Sequence, residues 1–558
     1  MSTAWRASSA VLLALCAGAA HAQPFVFYRG IVNAASFAPP GLPNGSIARG
    51  SIFSIFGRNL GPAQSPPLST FPLQTTLGGV SIEVCQAANC VPAIPLFVTP
   101  GQVNAVMPSN APLGGVSIRV TYNGQAGNFS PATVAASSLG VFTVNSAGFG
   151  PGIVQNFLAQ DNQPVNSAVA TARPGQVVTL WGTGLGPGLN ADNAMPQAGD
   201  LPVEVEIFVG GKRVTNKLYS GRTPCCAGVD QIVFEIPPDS PTGCYVPALL
   251  RTNSGVVSNS VTLAVAPAGQ ACSDPNDPLG EALRAGAAIG TVTVSRTLKI
   301  EFSASQQVEF ELDSVSARFA RERGGPWAFH PAFSRPPVGT CLVHAGRSEL
   351  LNLVSLPSPT PERYLDAGPE LTAAVEASPA PVAQLDGLPG NYRAVLGGRY
   401  ALLDASTLVL ERGRPFQISG PGGADVGVFS TAGVAVPALD WTNRESLFEV
   451  SRGAPIRIEW KAEPAADGLV WIFAGNTDAV TSSIAAFTCL APLSAGSFEI
   501  PAYITSTLPA SRGRPSQSVG WLAVARIAGD GLKLFEATGI DRGFLTSEFR
   551  LTQTVRYR

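Results

Sequence analysis

The sequence predicts an all-β protein: tandem immunoglobulin-like β-sandwiches followed by a further β-sandwich region. Three observations predict this fold class. The 558 residues include 59 glycines and 48 prolines, which helix interiors tolerate poorly and turns between short strands require. Apolar and polar residues alternate in many short runs, as they do in half-buried strands. A strand-and-turn pattern also occurs twice, which indicates repeated modules.

The composition supports folded β modules and limits the classes of partner that the chain could bind. Hydrophobic residues make up 45% of the chain and charged residues only 13%, so the chain can bury large cores and does not resemble a disordered protein. The net charge is −2, and no basic stripe runs along the sequence. We therefore expect no nucleic-acid partner.

The N-terminus has the pattern of a secretory signal peptide. Arg6 supplies its positive charge, the apolar run 10–20 is too short to span a bilayer, and the A-H-A motif ending at Ala22 matches a cleavage site. The alternative is a lipoprotein signal with Cys16 lipidated, but that position normally follows a small residue and here follows Leu15. We expect a secreted or cell-surface protein, or alternatively a periplasmic one, with no transmembrane segment after the signal peptide.

Eight cysteines remain after Cys16 is removed from the nine in the sequence, and an even number in an exported chain predicts disulfide bonds. The candidates are Cys85, Cys90, Cys225, Cys226, Cys244, Cys272, Cys341 and Cys489. Cys85 and Cys90 flank a short turn and are expected to bond to each other, which leaves Cys341 and Cys489 as a long-range pair if the other four bond among themselves.

Those other four cysteines form a local set with three formal connectivities. Neighbouring cysteines rarely bond to each other, because the peptide between them would have to distort. We therefore predict that Cys225 and Cys226 each bond to one of Cys244 and Cys272.

The internal repeat is the best-defined feature of the sequence. GSIFSIFGRNLGP (Gly50 to Pro62) is matched by GQVVTLWGTGLGP (Gly175 to Pro187), and Gly57 matches Gly182 at an offset of 182 − 57 = 125 residues. Further along, VSIEV is matched by VEIFV and QVNAVMP by QIVFEIP. Each repeat has several short strands, as an immunoglobulin-like sandwich requires.

Turn signals locate strand ends and module boundaries. Asn123-Gly124 lies between two alternating runs and predicts a tight hairpin. Segments rich in proline, glycine and aspartate separate the larger units. The predicted organisation is a signal peptide at 1–22, sandwich repeats at 23–137 and 138–268, a linker at 269–290, a β-rich module at 291–430 and a C-terminal β-sandwich module at 431–558.

The repeated motifs carry a family resemblance. GIVNAASFAPPGLPNGSIARGSIFSIFGRNLGP, PLFVTPGQVNAVMP and VVTLWGTGLGP resemble an uncharacterised domain of acidobacterial (Solibacter-type) secreted proteins, over roughly residues 30–267. Each half is also similar to an IPT/TIG domain, an immunoglobulin-like fold. In the C-terminal half, YLDAGP, SGPGGADVG and SAGSFEIPAY resemble other uncharacterised regions of the same secreted proteins.

The resemblance implies an immunoglobulin-like fold and export, and it implies no activity. In the family this module usually lies at the C-terminal end of the chain. Here it lies at the N-terminal end of the mature chain and is followed by a second β region. IPT/TIG domains occur in surface receptors, in transcription factors and beside secreted glycan-active enzymes, so the fold alone does not set the function.

No catalytic, cofactor-binding or metal-binding residues are predicted. The glycine run at 182–188 follows a strand but leads through Pro187 into a polar loop, and the run at 420–427 has strand-like runs on both sides. Neither opens a helix, so they do not predict a phosphate loop. No G-x-S-x-G or H-E-x-x-H motif accompanies the two mature histidines, His330 and His344, which are interpreted as structural.

Acidic residues leave two hypotheses open. A glycosidase needs only two carboxylates, and none of the many pairs stands out in the sequence. Calcium could bind at Asp192 and Asp200 in one loop or at Asp274 and Asp277 in another, but no dense pattern of oxygen ligands is present. The alternative is that these aspartates are solvated or cap helices or turns.

Two tryptophans are candidates for glycan platforms. Trp327 and Trp441 lie in turn-like contexts, where an exposed indole ring could stack on a sugar. Packing in the core is the alternative for both, as it is the expectation for Trp181 and Trp460, which lie in apolar strands.

Three functional hypotheses follow from these patterns. The first is a non-enzymatic secreted or surface-associated protein for adhesion or extracellular assembly, with a protein or polysaccharide partner at the cell surface. The second is an extracellular array of carbohydrate-binding modules. The third is a secreted hydrolase with an unrecognised site in residues 291–558.

Overall fold

The computed structural model describes residues 23–303, 306–347, 360–376, 378–400, 407–411, 413–462, 468–512, 518–528 and 533–558. The predicted signal peptide, residues 1–22, lies outside the described residues. The described chain is almost entirely β, and it forms two immunoglobulin-like sandwiches followed by a further β region.

Ten strands form the first sandwich, which we call module 1. Its sheet order is β1-β3-β7-β6-β5-β8-β10-β2, with β4 beside β5 and β9 beside β8. The strands are β1 (Phe25–Asn33), β2 (Ile47–Ala48), β3 (Ile52–Arg58), β4 (Thr76–Leu77), β5 (Val80–Gln86), β6 (Asn89–Val98), β7 (Gln102–Val106), β8 (Gly114–Tyr122), β9 (Gln125–Ala126) and β10 (Ser130–Ala135).

Strand β6 joins the two layers of module 1. Its first half pairs with β5 and its second half with β7, and the register shifts between Pro95 and Phe97. The layers enclose a core to which VSIEV contributes every second residue, as the alternation predicted. The β8–β9 hairpin turns at Asn123 and Gly124, whose φ angles of 47° and 76° are those of the predicted tight turn.

Eleven strands form module 2 as two separate sheets around a second core. One sheet has the order β11-β14-β19-β18-β15 with β13 beside β14, and the other has the order β12-β21-β20-β16-β17. The strands are β11 (Gly140–Val141), β12 (Gly150–Pro151), β13 (Val154–Asn156), β14 (Val177–Thr183), β15 (Gly199–Asp200), β16 (Val205–Val209), β17 (Lys212–Arg213), β18 (Lys217–Arg222), β19 (Asp230–Glu235), β20 (Gly243–Thr252) and β21 (Val261–Val265).

The repeated glycine has the same structural role in both modules. Gly57 in β3 pairs with β1 and Gly182 in β14 pairs with β11. A Cβ atom at Gly57 would lie 2.2 Å from the Phe25 carbonyl oxygen, and one at Gly182 would lie 2.5 Å from the Gly140 carbonyl oxygen. Because only glycine permits this close approach of the first strand, the motif repeats with the fold.

The remaining strands form the C-terminal region, which begins after helix α1 (Pro278–Arg284) within the predicted linker. One sheet dominates it, in the order β24-β34-β33-β36-β38-β22-β23-β28-β27-β26-β29-β30, and β32 and β35 form a small second sheet. Helix α2 (Ala502–Thr505) and two 3₁₀ turns (Arg444–Leu447 and Leu493–Ala495) interrupt the strands. The strands are β22 (Ala288–Ser303), β23 (Gln306–Arg321), β24 (Cys341–Arg347), β25 (Arg363–Tyr364), β26 (Glu370–Val375), β27 (Ser378–Gln384), β28 (Asn391–Tyr400), β29 (Pro415–Gly420), β30 (Phe429–Val434), β31 (Glu449–Val450), β32 (Ile456–Glu459), β33 (Gly468–Asp478), β34 (Ser483–Pro492), β35 (Ser497–Ile500), β36 (Ser518–Ala528), β37 (Lys533–Phe535) and β38 (Arg542–Tyr557).

The long hairpin of β22 and β23 connects the two halves of this region. Strand β22 pairs in parallel with β38, so the sheet continues across the predicted boundary at residue 430. The hydrophobic core nevertheless divides in two. One cluster lies mainly between residues 288 and 435, and the other lies mainly between 439 and 557.

Buried contacts join module 1 to module 2. The Asn33 side-chain amide donates to the carbonyl oxygens of Ser138 and Thr183, and the Ile52 amide donates to the Thr183 hydroxyl at 2.8 Å. Asp192 of module 2 accepts hydrogen bonds from the Ser109 amide at 2.7 Å and from its hydroxyl. These bonds and the apolar contacts around them hold the two sandwiches in one arrangement.

Module 2 also packs on the C-terminal region. Phe149 and Tyr245 share an apolar cluster with Phe329, and the Tyr245 hydroxyl donates to the Ala328 carbonyl oxygen at 2.8 Å. Phe208 of module 2 stacks on Tyr503 with ring centroids 4.0 Å apart. Module 2 therefore packs on both module 1 and the C-terminal region through buried contacts.

Candidate functional site

A cleft of about 850 Å³ lies in the C-terminal region, between the sheet and the segment 438–446. Its volume is within the range of small-molecule sites. Its lining residues come from β22, β23, β28, β38 and two connecting segments. They are Arg296, Leu298, Glu311, Arg399, Leu408, Glu411, Ala438, Leu439, Asp440, Trp441, Thr442, Asn443, Arg444, Glu445, Ser446, Phe549 and Leu551.

A buried ion pair anchors one side of the cleft. Arg296 of β22 makes two parallel hydrogen bonds, of 2.8 and 3.0 Å, with the carboxylate of Asp313 on the neighbouring β23. Asp313 is fully buried and also accepts from the backbone amides of Val409 and Leu410. Burial opposes the charge of Arg296, but the Asp313 bonds and nearby carboxylates raise the pKa of its guanidinium. Arg296 is therefore a fixed cation in the cleft.

The opposite wall is held by Asn443. Its side-chain oxygen accepts from the Trp441 indole at 3.0 Å and from the Glu459 amide at 3.0 Å, and its amide donates to the Arg457 carbonyl oxygen at 2.7 Å. The Gln553 side chain of β38 donates to the Arg444 carbonyl oxygen at 3.2 Å. The wall is therefore tied to β32 and to the main sheet.

Charged side chains line the rim. Arg399 pairs with Glu311, and Glu411 accepts from Arg414 at 2.7 Å. The side chains of Asp440, Arg444 and Glu445 form no ion pair or hydrogen bond with the described residues, and Asp440 and Glu445 are exposed. These three groups can accept or donate hydrogen bonds to a ligand without first breaking an internal contact.

The structure places the two candidate tryptophans at different sites. Trp441 is 6% exposed and belongs to the hydrophobic core, although it also lines the cleft. Trp327 is 37% exposed, and its indole nitrogen donates to the Asn166 carbonyl oxygen at 2.7 Å. It thus lies at the joint with module 2. The cleft itself could not be found from sequence, because its residues are distant in the chain.

The disulfides differ from the prediction in the local set of four. Cys85 bonds to Cys90 and Cys341 to Cys489, as the sequence indicated. The prediction that Cys225 and Cys226 each bond to Cys244 or Cys272 is wrong.

Cys225 bonds to Cys226, and Cys244 bonds to Cys272. The physical reason is the sheet arrangement of module 2. Cys225 and Cys226 occupy the exposed turn between β18 and β19, whereas Cys244 lies on β20 in the other sheet and is buried beside the returning chain at Cys272.

An acidic pair with raised pKa values lies where module 2 meets α1. Burial raises the pKa of Asp277 to about 8, although Arg335 and a hydrogen bond from the Gly280 amide oppose the change. Burial also raises the pKa of Asp274. Asp277 caps α1 and is 1% exposed, so its carboxyl group is a structural element out of reach of a substrate.

Both histidines are buried, which agrees with a structural role. Burial lowers the pKa of His330 to about 3 and that of His344 to about 4, so both rings are neutral near pH 7. His344 contacts the rings of Phe149 and Phe329, and His330 stacks on Phe333. Neither ring faces a nucleophile in these contacts.

The aspartates considered for calcium have other partners. Asp192 binds Ser109, and Asp200 accepts from the Ser220 amide at 2.7 Å. In the part of the chain that the structure describes, no three histidine, cysteine, aspartate or glutamate side chains form a group suited to a metal ion. Nor does any helix in that part have the length and apolar character needed to cross a membrane.

A strip of exposed aromatic side chains, with arginines beside them, follows the edge strand β1 and the residue before β10. Phe25, Phe27 and Tyr28 are 41%, 43% and 70% exposed, and Phe129 is 51% exposed. Arginines lie over three of the rings, at 4.6 to 4.8 Å from the ring centroids. We call this surface the aromatic–arginine strip; its members are Phe25, Phe27, Tyr28, Phe129, Arg29, Arg58 and Arg119.

The backbone edge beside the strip is partly closed. The Asn128 side chain accepts from the Val26 amide at 2.8 Å and donates to the Val26 carbonyl oxygen at 3.1 Å, in place of a neighbouring strand. A regular strand could not pair with β1 at Val26 without displacing it. The strip therefore offers side chains for contact more readily than backbone groups.

Comparisons with known proteins identify no family. No protein-family model matches the sequence, and no curated protein matches it. Among solved structures, it is similar to the tetra-tandem repeat in the extending region of a large adhesion protein, with 12% identity over 95% of this chain and 98% of that chain and a TM-score of 0.13.

It is also similar to SGBP-B from a xyloglucan utilization locus in Bacteroides uniformis, with 12% identity over 67% of this chain and 85% of that chain and a TM-score of 0.15. Domains 4–9 of the surface layer protein SbsC give 9% identity, 94% and 82% coverage and a TM-score of 0.16. At these TM-scores the likenesses carry no argument about function.

Proposed function

We propose that this chain is an exported, non-enzymatic β-sandwich protein that acts in adhesion or assembly at the cell surface or outside the cell, with the periplasm as the alternative compartment. The observation that carries the proposal is the aromatic–arginine strip on a support of mutually packed modules. Exposed apolar patches mark interaction surfaces, and aromatic and arginine residues contribute most of the binding energy at many of them.

The sequence supports the extracellular part of this proposal. The signal-peptide pattern at residues 1–22 and the four disulfides are typical of exported proteins. The resemblance of residues 30–267 to acidobacterial secreted proteins with IPT/TIG-like modules points to the same compartment. The partner would be a protein or polysaccharide at the cell surface.

The hydrolase alternative has weaker support. The acidic pair with raised pKa values, Asp274 and Asp277, precedes residues 291–558, where this alternative expects its site, and Asp277 is buried as the cap of α1. General acid catalysis requires the proton donor to reach the substrate, which Asp277 does not do in this arrangement. The carbohydrate-binding alternative is supported by a different feature, the cleft beside Trp441.

The proposal is tested by retention of the mature chain, residues 23–558, on bacterial cell envelopes, with sedimentation analysis of its self-association. The test variant carries Phe25→Ser, Phe27→Ser and Tyr28→Ser. We expect it to lose retention or self-association, because the substitutions remove the three exposed rings of β1 and leave the buried core intact.

The matched control carries three exposed apolar residues changed to serine elsewhere, namely Leu218→Ser, Val395→Ser and Val428→Ser. It should behave like the parent. A parent that neither binds envelopes nor self-associates, or a test variant that behaves like the control, would contradict the adhesive role. Release of soluble products during incubation would favour the hydrolase.

A further inference from the structure

We propose that the cleft between the sheet and the segment 438–446 binds a neutral saccharide chain. This inference goes beyond the adhesive role and uses none of the residues of the aromatic–arginine strip. It rests on the size of the cleft, the balance of its charges, its apolar floor and the fixed positions of its polar groups.

The charges in the cleft nearly cancel. Three guanidinium groups and four carboxylates line it, the former from Arg296, Arg399 and Arg444 and the latter from Glu311, Glu411, Asp440 and Glu445. A phosphate-rich or polyanionic ligand would require an excess of cations, and a polycation would require an excess of carboxylates. The near-balance therefore favours an uncharged ligand.

The polar groups suit hydroxyl-rich ligands. A carboxylate accepts two hydrogen bonds side by side, and a guanidinium donates two in a plane, so each can engage neighbouring hydroxyl groups of a sugar. Asp440, Arg444 and Glu445 have no internal partner among the described residues, and Arg296 is held in place by Asp313. The cleft thus offers both unpaired and prepositioned hydrogen-bonding groups.

The floor of the cleft is apolar. Leu298, Phe549 and Leu551 contribute to it, and the last two belong to the core with exposures of 8% and 6%. Sugar rings present C–H faces as well as hydroxyl groups, and these faces pack on apolar side chains. A cavity of about 850 Å³ accommodates several linked sugar units, because ligand sites of drug size span roughly 300–1,000 Å³.

The peptide alternative is less well supported. An extended peptide binds to β proteins mainly by adding a strand to an open sheet edge. Strands β22 and β38, which line the cleft, are paired on both sides within the sheet. The cleft therefore lacks an open backbone edge at these strands, and side chains must provide recognition.

The experiment measures migration of residues 23–558 in native gels that contain a soluble β-glucan, xylan, galactomannan or, as the acidic comparison, polygalacturonate. The test variant is Asp440→Asn, Arg444→Ala and Glu445→Gln. The control carries the same types of change on exposed residues of module 2, Asp161→Asn, Arg173→Ala and Glu204→Gln.

We expect at least one neutral polysaccharide to retard the parent and the control, and the test variant to bind it about tenfold or more weakly, because several hydrogen bonds are lost. Thr442→Trp, which fills the cleft from an exposed position, should weaken binding too. Equal thermal unfolding of all variants establishes that the fold is unchanged.

Three results would overturn the inference: no retardation by any neutral polysaccharide, retardation by polygalacturonate alone, or equal retardation of the test variant and the control. Binding to an unfolded protein substrate that these cleft substitutions abolish would assign the cleft to a peptide instead. Because the strip variants leave the cleft unchanged, envelope retention and polysaccharide binding can fail independently.

Discussion

Removal of a disulfide should destabilise the protein more when the bond closes a longer loop of the chain. Cys341 and Cys489 face each other on the antiparallel strands β24 and β34, with Cα atoms 4.1 Å apart, and they are 148 residues apart in sequence. Cys225 and Cys226 are adjacent in an exposed turn. The two pairs therefore give the same chemical change with very different effects on the unfolded chain.

The magnitude follows from the loop-closure entropy. A cross-link between residues 148 apart lowers the entropy of the unfolded chain by about 17 cal/mol/K, which stabilises the folded state by about 5 kcal/mol at 25 °C. For adjacent residues the corresponding stabilisation is about 0.6 kcal/mol. Both Cys341 and Cys489 are also buried, so alanine substitution removes apolar contacts as well. We therefore expect removal of the Cys341–Cys489 bond to destabilise the protein much more than removal of the Cys225–Cys226 bond.

The assay is calorimetry of the oxidised parent and two double variants, Cys341→Ala/Cys489→Ala and Cys225→Ala/Cys226→Ala. A loss of about 5 kcal/mol should lower the unfolding temperature of the C-terminal region by about 10 °C or more, whereas loss of the exposed pair should lower that of module 2 by only about 2 °C. Equal shifts for the two variants, or a larger shift for the exposed pair, would refute the reasoning. Peptide mapping without reductant would show whether the cysteines pair as they do in the structure.

Two further predictions concern buried ionisable groups. Burial raises the pKa of Asp277 from 3.8 to about 8, so between these pH values the folded state retains a proton that the unfolded state releases. The free energy of unfolding should therefore fall as pH rises from about 4 to 8, by up to about 1.4 kcal/mol per pH unit. Asp277→Asn retains a cap for α1 and should flatten this profile in urea titrations; an unchanged slope would contradict it. Arg222 and Asp230 form a buried ion pair of 2.9 Å, and Arg222→Met should cost about 3–5 kcal/mol because it leaves the buried Asp230 carboxylate with two backbone amide donors and no cation. Adding Asp230→Asn should recover part of that loss in the same titrations, and a single variant as stable as the parent would refute the prediction.

The aromatic–arginine strip and the cleft differ in how far sequence could indicate them. Phe25 and Phe27 are two residues apart on one strand, so strand geometry alone places their side chains on one face, although their exposure needs the sheet. Arg296 and Trp441 share a cleft only because β22 and the segment 438–446 meet across the folded C-terminal region. No local pattern contains that information.

The sequence by itself determined the all-β class, the two sandwich repeats and the tight hairpin at Asn123-Gly124, because these depend on residue periodicity, on glycine at close approaches and on left-handed turn positions, all of which are local. Only the tertiary structure decided that β22 pairs with β38, that Cys225 bonds to Cys226, and that a cleft forms beside Trp441. Each of these depends on which distant strands come together, and pairing over long separations is set by the packing of the whole core.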